Sequence, residues 1–100
     1  MKQDVFNRYA DKIAALFHIS REDLFKKSKK TDLVEARHLL YYMCYNRQIK
    51  ITSIEEYMAL SGYTIKHSSI IHGIKAVEDK IKEDKDYVVA IKDLDRQTSI

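Results

Sequence analysis

The sequence predicts an all-α domain of five or six helices, and three observations predict it. There is no proline and there are only two glycines, Gly62 and Gly73, which suits helix interiors and works against a turn-rich β fold. Apolar residues recur three and four apart along most of the chain, the spacing that gathers them on one side of a 3.6-residue helix. The polar breaks between these stretches are short, so the 100 residues should form one domain around one core, without internal repeats.

In chain order, the first helix should cover about Asp4 to His18. Val5 or Phe6, Tyr9, Ile13, Leu16 and Phe17 make its apolar stripe, while Lys2, Arg8 and Lys12 stay in water. Ser20-Arg21-Glu22-Asp23 offers a cap followed by acids in a first turn, so a one- or two-turn helix should dock Leu24 and Phe25. Lys26, Lys27, Lys29 and Lys30 follow. Thr31 can cap the next helix, with Asp32 and Glu35 favourably placed against its dipole. That helix should run to about Arg47 and form the central core element through Leu33, Ala36, Leu39, Leu40, Met43 and Cys44. Tyr41, Tyr42 and Tyr45 widen its apolar surface and read as packing residues rather than base-stacking platforms.

Thr52 to Glu55 and Ser53 to Glu56 both fit a capping box, so a short helix should start there and run to about Leu60, where Gly62 breaks it. After the turn, Ile70, Ile74, Val77 and Ile81 define an apolar stripe, with Ser68, Ser69, His72 and Lys75 on the other side. Two helices joined by a short glycine-containing turn make a helix-turn-helix. Lys82 to Asp86 is a polar break in which Asp84 or Asp86 can cap a last short helix, and Tyr87, Val88, Ile91 and Leu94 should pack it on the first. Residues 95–100 are expected to be a frayed tail.

The outer face of the second helix of this motif carries short hydroxyls and imidazoles. Such groups can approach base edges in a major groove and leave lysines for phosphates, although a solvated helix face would have a similar composition. The net charge of +3 is small but unevenly placed. The four lysines between 26 and 30 have no acid among them, and Arg37, Arg47, Lys50, Lys66 and Lys75 follow, with only Asp32, Glu35, Glu55 and Glu56 interspersed, before the acids at Glu78 and Asp79. Beside a helix-turn-helix, such a basic middle is the usual source of sequence-independent affinity for DNA.

Gly62 to Val77 resembles the signature of the C-terminal DNA-binding domain of the bacterial replication initiator DnaA. The pattern there is roughly Gly-Gly-Arg-Asp-His-Thr-Thr-Val-Leu-His-Ala-x-Arg-Lys-Ile, and His67-Ser68-Ser69-Ile70-Ile71-His72-Gly73 falls on its His-Thr-Thr-Val-Leu-His-Ala. Ser53-Ile54-Glu55-Glu56 resembles the family's Ser-Leu-Pro-Glu, and the likeness extends over about residues 10 to 82. It implies a Trp-repressor-like helical fold and a partner in double-stranded DNA. His67, Ser68, Ser69 and Lys66 would contact bases. Lys27, Lys29, Lys30, Lys50, Thr64, His72 and Lys75 would hold phosphates. Arg37 lies where the family carries an arginine that enters the minor groove, near the start of its helix and close behind the lysine loop. Ile65-Lys66 stands where the family has Arg-Asp, replacing an acceptor for a cytosine amino group with a donor, so a different preferred site is expected.

An enzyme is not expected. No Gly-x-x-x-x-Gly-Lys-Ser/Thr loop occurs, so neither nucleotide nor ATPase activity is anticipated. His67 and His72 are five apart and His38 lies elsewhere, which does not fit a helical zinc site; no metal or other cofactor is expected. Ser68 or Ser69 beside His67 lacks an activating third group. The lone Cys44 sits in an apolar run and reads as packing. No apolar run nears the roughly 18 to 20 residues that span a bilayer, and no signal peptide is evident, so a cytoplasmic monomer without membrane contact is expected, in a bacterium or a phage-infected cell. The rival reading is a helical protein-interaction module that binds a replication protein, with the tyrosine-rich third helix as its interface.

Overall fold

The helix with the most buried side chains organises the molecule. In the computed structural model, which describes residues 1–98, it is α3 (Thr31–Asn46), and around it stand α1 (Lys2–Leu16), α2 (Arg21–Leu24), α4 (Ile51–Leu60), α5 (His67–Glu83) and α6 (Lys85–Thr98). No strand occurs among the described residues. Leu33, Ala36, Leu39, Leu40, Tyr41, Met43 and Cys44 of α3 are all buried, on more than one side of the helix. A helix apolar on several sides needs several partners, and α3 packs on α1, α2, α4 and α5. Its closest approach is to α5. A Cβ added at Gly73 would lie 2.8 Å from ring atoms of both His38 and Tyr41, so the missing side chain lets α5 settle onto α3.

Three helices end in the same way. His18, Gln48 and Gly62 each have positive φ, of 56°, 68° and 97°. The next amide then reaches back to close the end: Ile19 N donates to the Ala14 carbonyl at 3.0 Å, Ile49 N to Cys44 at 3.1 Å and Tyr63 N to Met58 at 2.9 Å. This is the Schellman arrangement, which satisfies carbonyls the helix leaves open and turns an apolar side chain back onto the core. Ile49 is buried, and Ile19 and Tyr63 pack against the core as half-buried residues. The sequence marks only one of the three ends by a glycine.

Helix starts differ more from expectation. Ser20 caps α2, its Oγ accepting from Asp23 N at 3.0 Å. Thr31 does not cap α3: it is the first helical residue, and the N-cap position is Lys30. Likewise α4 begins at Ile51 behind Lys50, so neither Thr52 nor Ser53 caps it. A capping box two residues inside a helix cannot serve the amides of the first turn. At the C-terminal end α6 continues through the residues expected to fray. Tyr9 Oη donates to Asp95 Oδ1 at 2.7 Å, and buried Thr98 donates its hydroxyl to the Leu94 carbonyl at 2.7 Å. Residues 99–100 of the expected tail lie outside the described residues.

Candidate nucleic-acid interface

α4, the turn 61–66 and α5 form the expected helix-turn-helix. Ile70, Gly73, Ile74 and Val77 of α5 face the core, whereas His67, Ser68, Ser69, His72 and Lys75 are exposed. Ser68, His72 and Lys75 are spaced four and three apart and share one helix face. Lys66 is the N-cap residue and is exposed, with no side-chain cap to the helix amides. Its neighbour Ile65 is half-buried and packs on the core, so it is not a base-reading side chain. An open cleft beside the turn brings together Lys27, Thr64, Lys66, Ser68, Ser69 and His72, with Glu55 as its one acid. Lys29, Lys30, Lys50, His67 and Lys75 are exposed outside that cleft.

Arg37 is not where a minor-groove arginine would have to be. It is only 3% exposed. Its Nη1 donates to the carbonyls of Leu24 and Lys26, both at 3.1 Å, and its Nη2 to that of Ser28 at 2.6 Å. The guanidinium also lies over the Tyr63 ring, 4.7 Å from its centroid. A planar fork with several donors matches convergent backbone carbonyls, and those at the end of α2 and in the loop after it have no following helical turn or strand to satisfy them. In this arrangement Arg37 organises the basic loop from inside, a place that differs from the exposed one expected for a minor-groove contact. The position carried a signal, since residue 37 lies four after Leu33 and three before Leu40, on the buried stripe.

Lys27 is tied down from the other side. Its Nζ donates to the Thr64 carbonyl at 2.6 Å and stands 4.5 Å from the Tyr63 ring centroid. Of the remaining loop cations, Lys26 forms an exposed pair with Asp23 at 3.6 Å, and Lys29 and Lys30 are solvated. Tyr63, which sequence reasoning passed over, is thus shared by two cations. Its only sequence mark is an aromatic residue placed directly after the glycine of the turn.

Between α3 and α5, the rings of His38 and His72 meet edge to face with centroids 5.8 Å apart. Burial pushes His38 below the usual imidazole range, and the neighbouring His72 and Arg37 push the same way. Burial raises the Tyr41 phenol, whose oxygen has no hydrogen-bond partner, and also the Cys44 thiol, which is enclosed by the core. Among the described residues no group of three or more His, Cys, Asp or Glu could hold a metal ion, and no helix is long and apolar enough to cross a membrane.

No family model matches the sequence. A chromosomal replication initiator protein DnaA of Desulfotalea psychrophila is 37% identical over 76 residues, which cover 74% of this chain and 15% of the relative. The DnaA of Nautilia profundicola is 29% identical over 89 residues, 88% of this chain and 20% of the relative. A solved crystal structure of a DNA replication initiation factor has the same fold, with a TM-score of 0.78 at 19% identity, over 97% of this chain and 29% of that one. The chain spans a fifth or less of the length of the two initiators.

Proposed function

From a chain that is DnaA C-terminal-domain-like in sequence and all-α in fold, we infer a domain that binds double-stranded DNA with a sequence preference, in replication initiation or its regulation or in transcription control. The observation that carries this reading is the exposed start of α5. His67, Ser68 and Ser69 project there with Lys66 in front of them, short enough to reach base edges, beside a lysine loop tied to the same turn. In this assignment those four residues contact bases. Lys29, Lys30, Lys50, Lys75, His72 and the Thr64 hydroxyl hold phosphates, and Lys27 offers its remaining donors to the same strand. Arg37 contacts no DNA. The domain acts as a cytoplasmic monomer, with no ATPase step of its own.

Selection of bound oligonucleotides from a random duplex pool tests the reading. Enrichment of one motif is expected, together with a log-log slope of affinity against salt of roughly −4 to −5 if about four to six cations meet phosphates. No enrichment and no duplex retention at low salt would remove the DNA assignment and favour an interaction module that binds a replication protein.

A further inference from the structure

We propose that Tyr63 is a positioning residue. With the Lys27 ammonium and the Arg37 guanidinium both over its ring, it locks the basic loop 26–30 to the start of α5, so that the loop's free lysines meet a duplex at a fixed place beside the base-reading helix. The second half of this statement rests on the DNA-binding reading. The first half does not, and it can be tested on the protein alone.

Three contacts converge on the tyrosine. Its backbone is fixed by the end of α4, where Tyr63 N donates to the Met58 carbonyl and Gly62 N to that of Ala59. Its ring packs half-buried against the core. Its ring also carries a cation at 4.5 Å and another at 4.7 Å. Two cations brought near one point repel each other, and an aromatic quadrupole shared between them is a neutral group that attracts both. Arg37 is held in place by the carbonyls of Leu24, at the end of α2, and of Lys26 and Ser28 in the loop. Lys27 is exposed and could leave, yet it is drawn onto the ring and onto the Thr64 carbonyl, 37 residues away in sequence.

The consequence concerns order. Arg37 takes the carbonyls of Lys26 and Ser28, and Lys27 between them is tied to the turn. A lysine-rich loop without such ties would sample many conformations and lose that freedom on meeting a polyanion. Here the ordering is already complete in the folded protein, so Lys29 and Lys30 are presented in a set relation to Ser68 and Ser69.

The experiment compares Tyr63→Leu, Tyr63→Phe and Lys27→Ala in the whole chain. Native-state trypsin cleavage after Lys26, Lys27, Lys29 or Lys30 is followed by mass spectrometry and normalised to cleavage after Lys75 in α5, which reports global unfolding. Loss of both ring–cation contacts should speed loop cleavage roughly five- to thirtyfold in Tyr63→Leu, while Tyr63→Phe stays within about twofold of the unaltered chain. Lys27→Ala removes one of the two contacts without touching the core, and its remaining loop sites should cleave at an intermediate rate. Equal loop cleavage in the Leu and Phe variants, or a rise matched at Lys75, would overturn the lock. Duplex affinity is the second readout: Tyr63→Leu should lose about three- to tenfold on preferred and random DNA alike, since phosphate contacts carry no base identity. A loosened loop with unchanged affinity would overturn the positioning role. Absence of duplex binding by the unaltered protein would remove the DNA reading and leave the lock standing.

Discussion

Arg37 lies in the first half of α3 and Arg47 just past its end, and each is placed over a tyrosine ring, yet they are used differently. Arg37 covers Tyr63 at 4.7 Å, is buried, and satisfies three backbone carbonyls. Arg47 lies 5.9 Å from the Tyr9 centroid, is half-buried, and makes one bond of 3.2 Å to the Tyr9 hydroxyl, which itself donates to Asp95. The two ends of the molecule differ in the same sense. Where α1 meets α6, Tyr9, Ile13, Ile91 and Leu94 belong to the apolar core and the polar link is an addition. Around the basic loop Leu24, Phe25, Tyr63 and Ile65 pack on the core, and polar links tie the lysine-bearing backbone to them. The same pair of residue types thus reinforces a packed interface at one end and ties a loop to the packing at the other.

The largest effects should separate these two arginines. Arg37→Ala strands the buried Leu24 carbonyl and loosens the part-buried ones of Lys26 and Ser28, and it should cost about 3 kcal/mol; Arg47→Ala leaves the buried Tyr9 hydroxyl still donating to Asp95 and should cost about 1 kcal/mol. Arg37→Lys should recover less than half of the loss, because an ammonium cannot reproduce the planar fork. Urea midpoints at constant m decide this. Equal losses for the two alanine variants would break the comparison.

The next effects divide the loop end itself into positioning and reading. Ser69→Ala or His67→Ala should reduce discrimination among duplex sites by about 1 to 3 kcal/mol per lost base contact. Lys29→Ala and Lys30→Ala should weaken all duplexes alike and flatten the salt slope. Binding arrays at one salt concentration, repeated at a second, measure both. Equal loss on preferred and random DNA for Ser69→Ala would take α5 out of the groove.

Apolar periodicity made the helices legible, because a stripe such as Ile70, Ile74 and Val77 has to be buried whatever else the chain does. Boundaries were less legible. His18 and Gln48 adopt positive φ without being glycine, and Lys30, Lys50 and Lys66 occupy N-cap positions where a hydroxyl or carboxylate is the expected sign. In the site, the exposed residues of α5 followed from helix geometry alone. Arg37 did not, because a cation is read as solvated unless the acceptors that bury it are known, and those acceptors are main-chain carbonyls of a loop that the sequence leaves unspecified.

Lys66 gives a smaller and more pointed test of the loop end. A lysine at an N-cap offers no acceptor to the first-turn amides and places a cation at the positive end of the α5 dipole. Lys66→Asp should therefore raise stability by about 1 kcal/mol while lowering duplex affinity and shifting the preferred site, since a donor becomes an acceptor. The two readouts move in opposite directions only if Lys66 serves binding at a cost to folding. A variant that is more stable and binds equally well would show that the residue faces away from DNA.

The smallest effect lies between the two ends, at His38, where α5 rests on α3. The groups around this imidazole are His72 from α5 and Glu35, Arg37 and Tyr41 from its own helix. Burial, with His72 and Arg37, holds the folded-state pKa of His38 below its ordinary value, and only Glu35 opposes them. The unfolded chain therefore takes up this proton first as pH falls. Stability from the neutral ring is complete above about pH 6.5 and declines below it, as linkage requires when the unfolded state binds more protons. Urea midpoints taken from pH 7.5 to 5.5 should fall for the unaltered chain and fall less for His38→Gln. The variant keeps every other titrating group, so the difference between the two curves isolates this ring. Parallel curves would mean that His38 takes up its proton as readily in the folded chain as in the unfolded one, and that the seating of α5 rests on Gly73 and its apolar stripe without help from this ring.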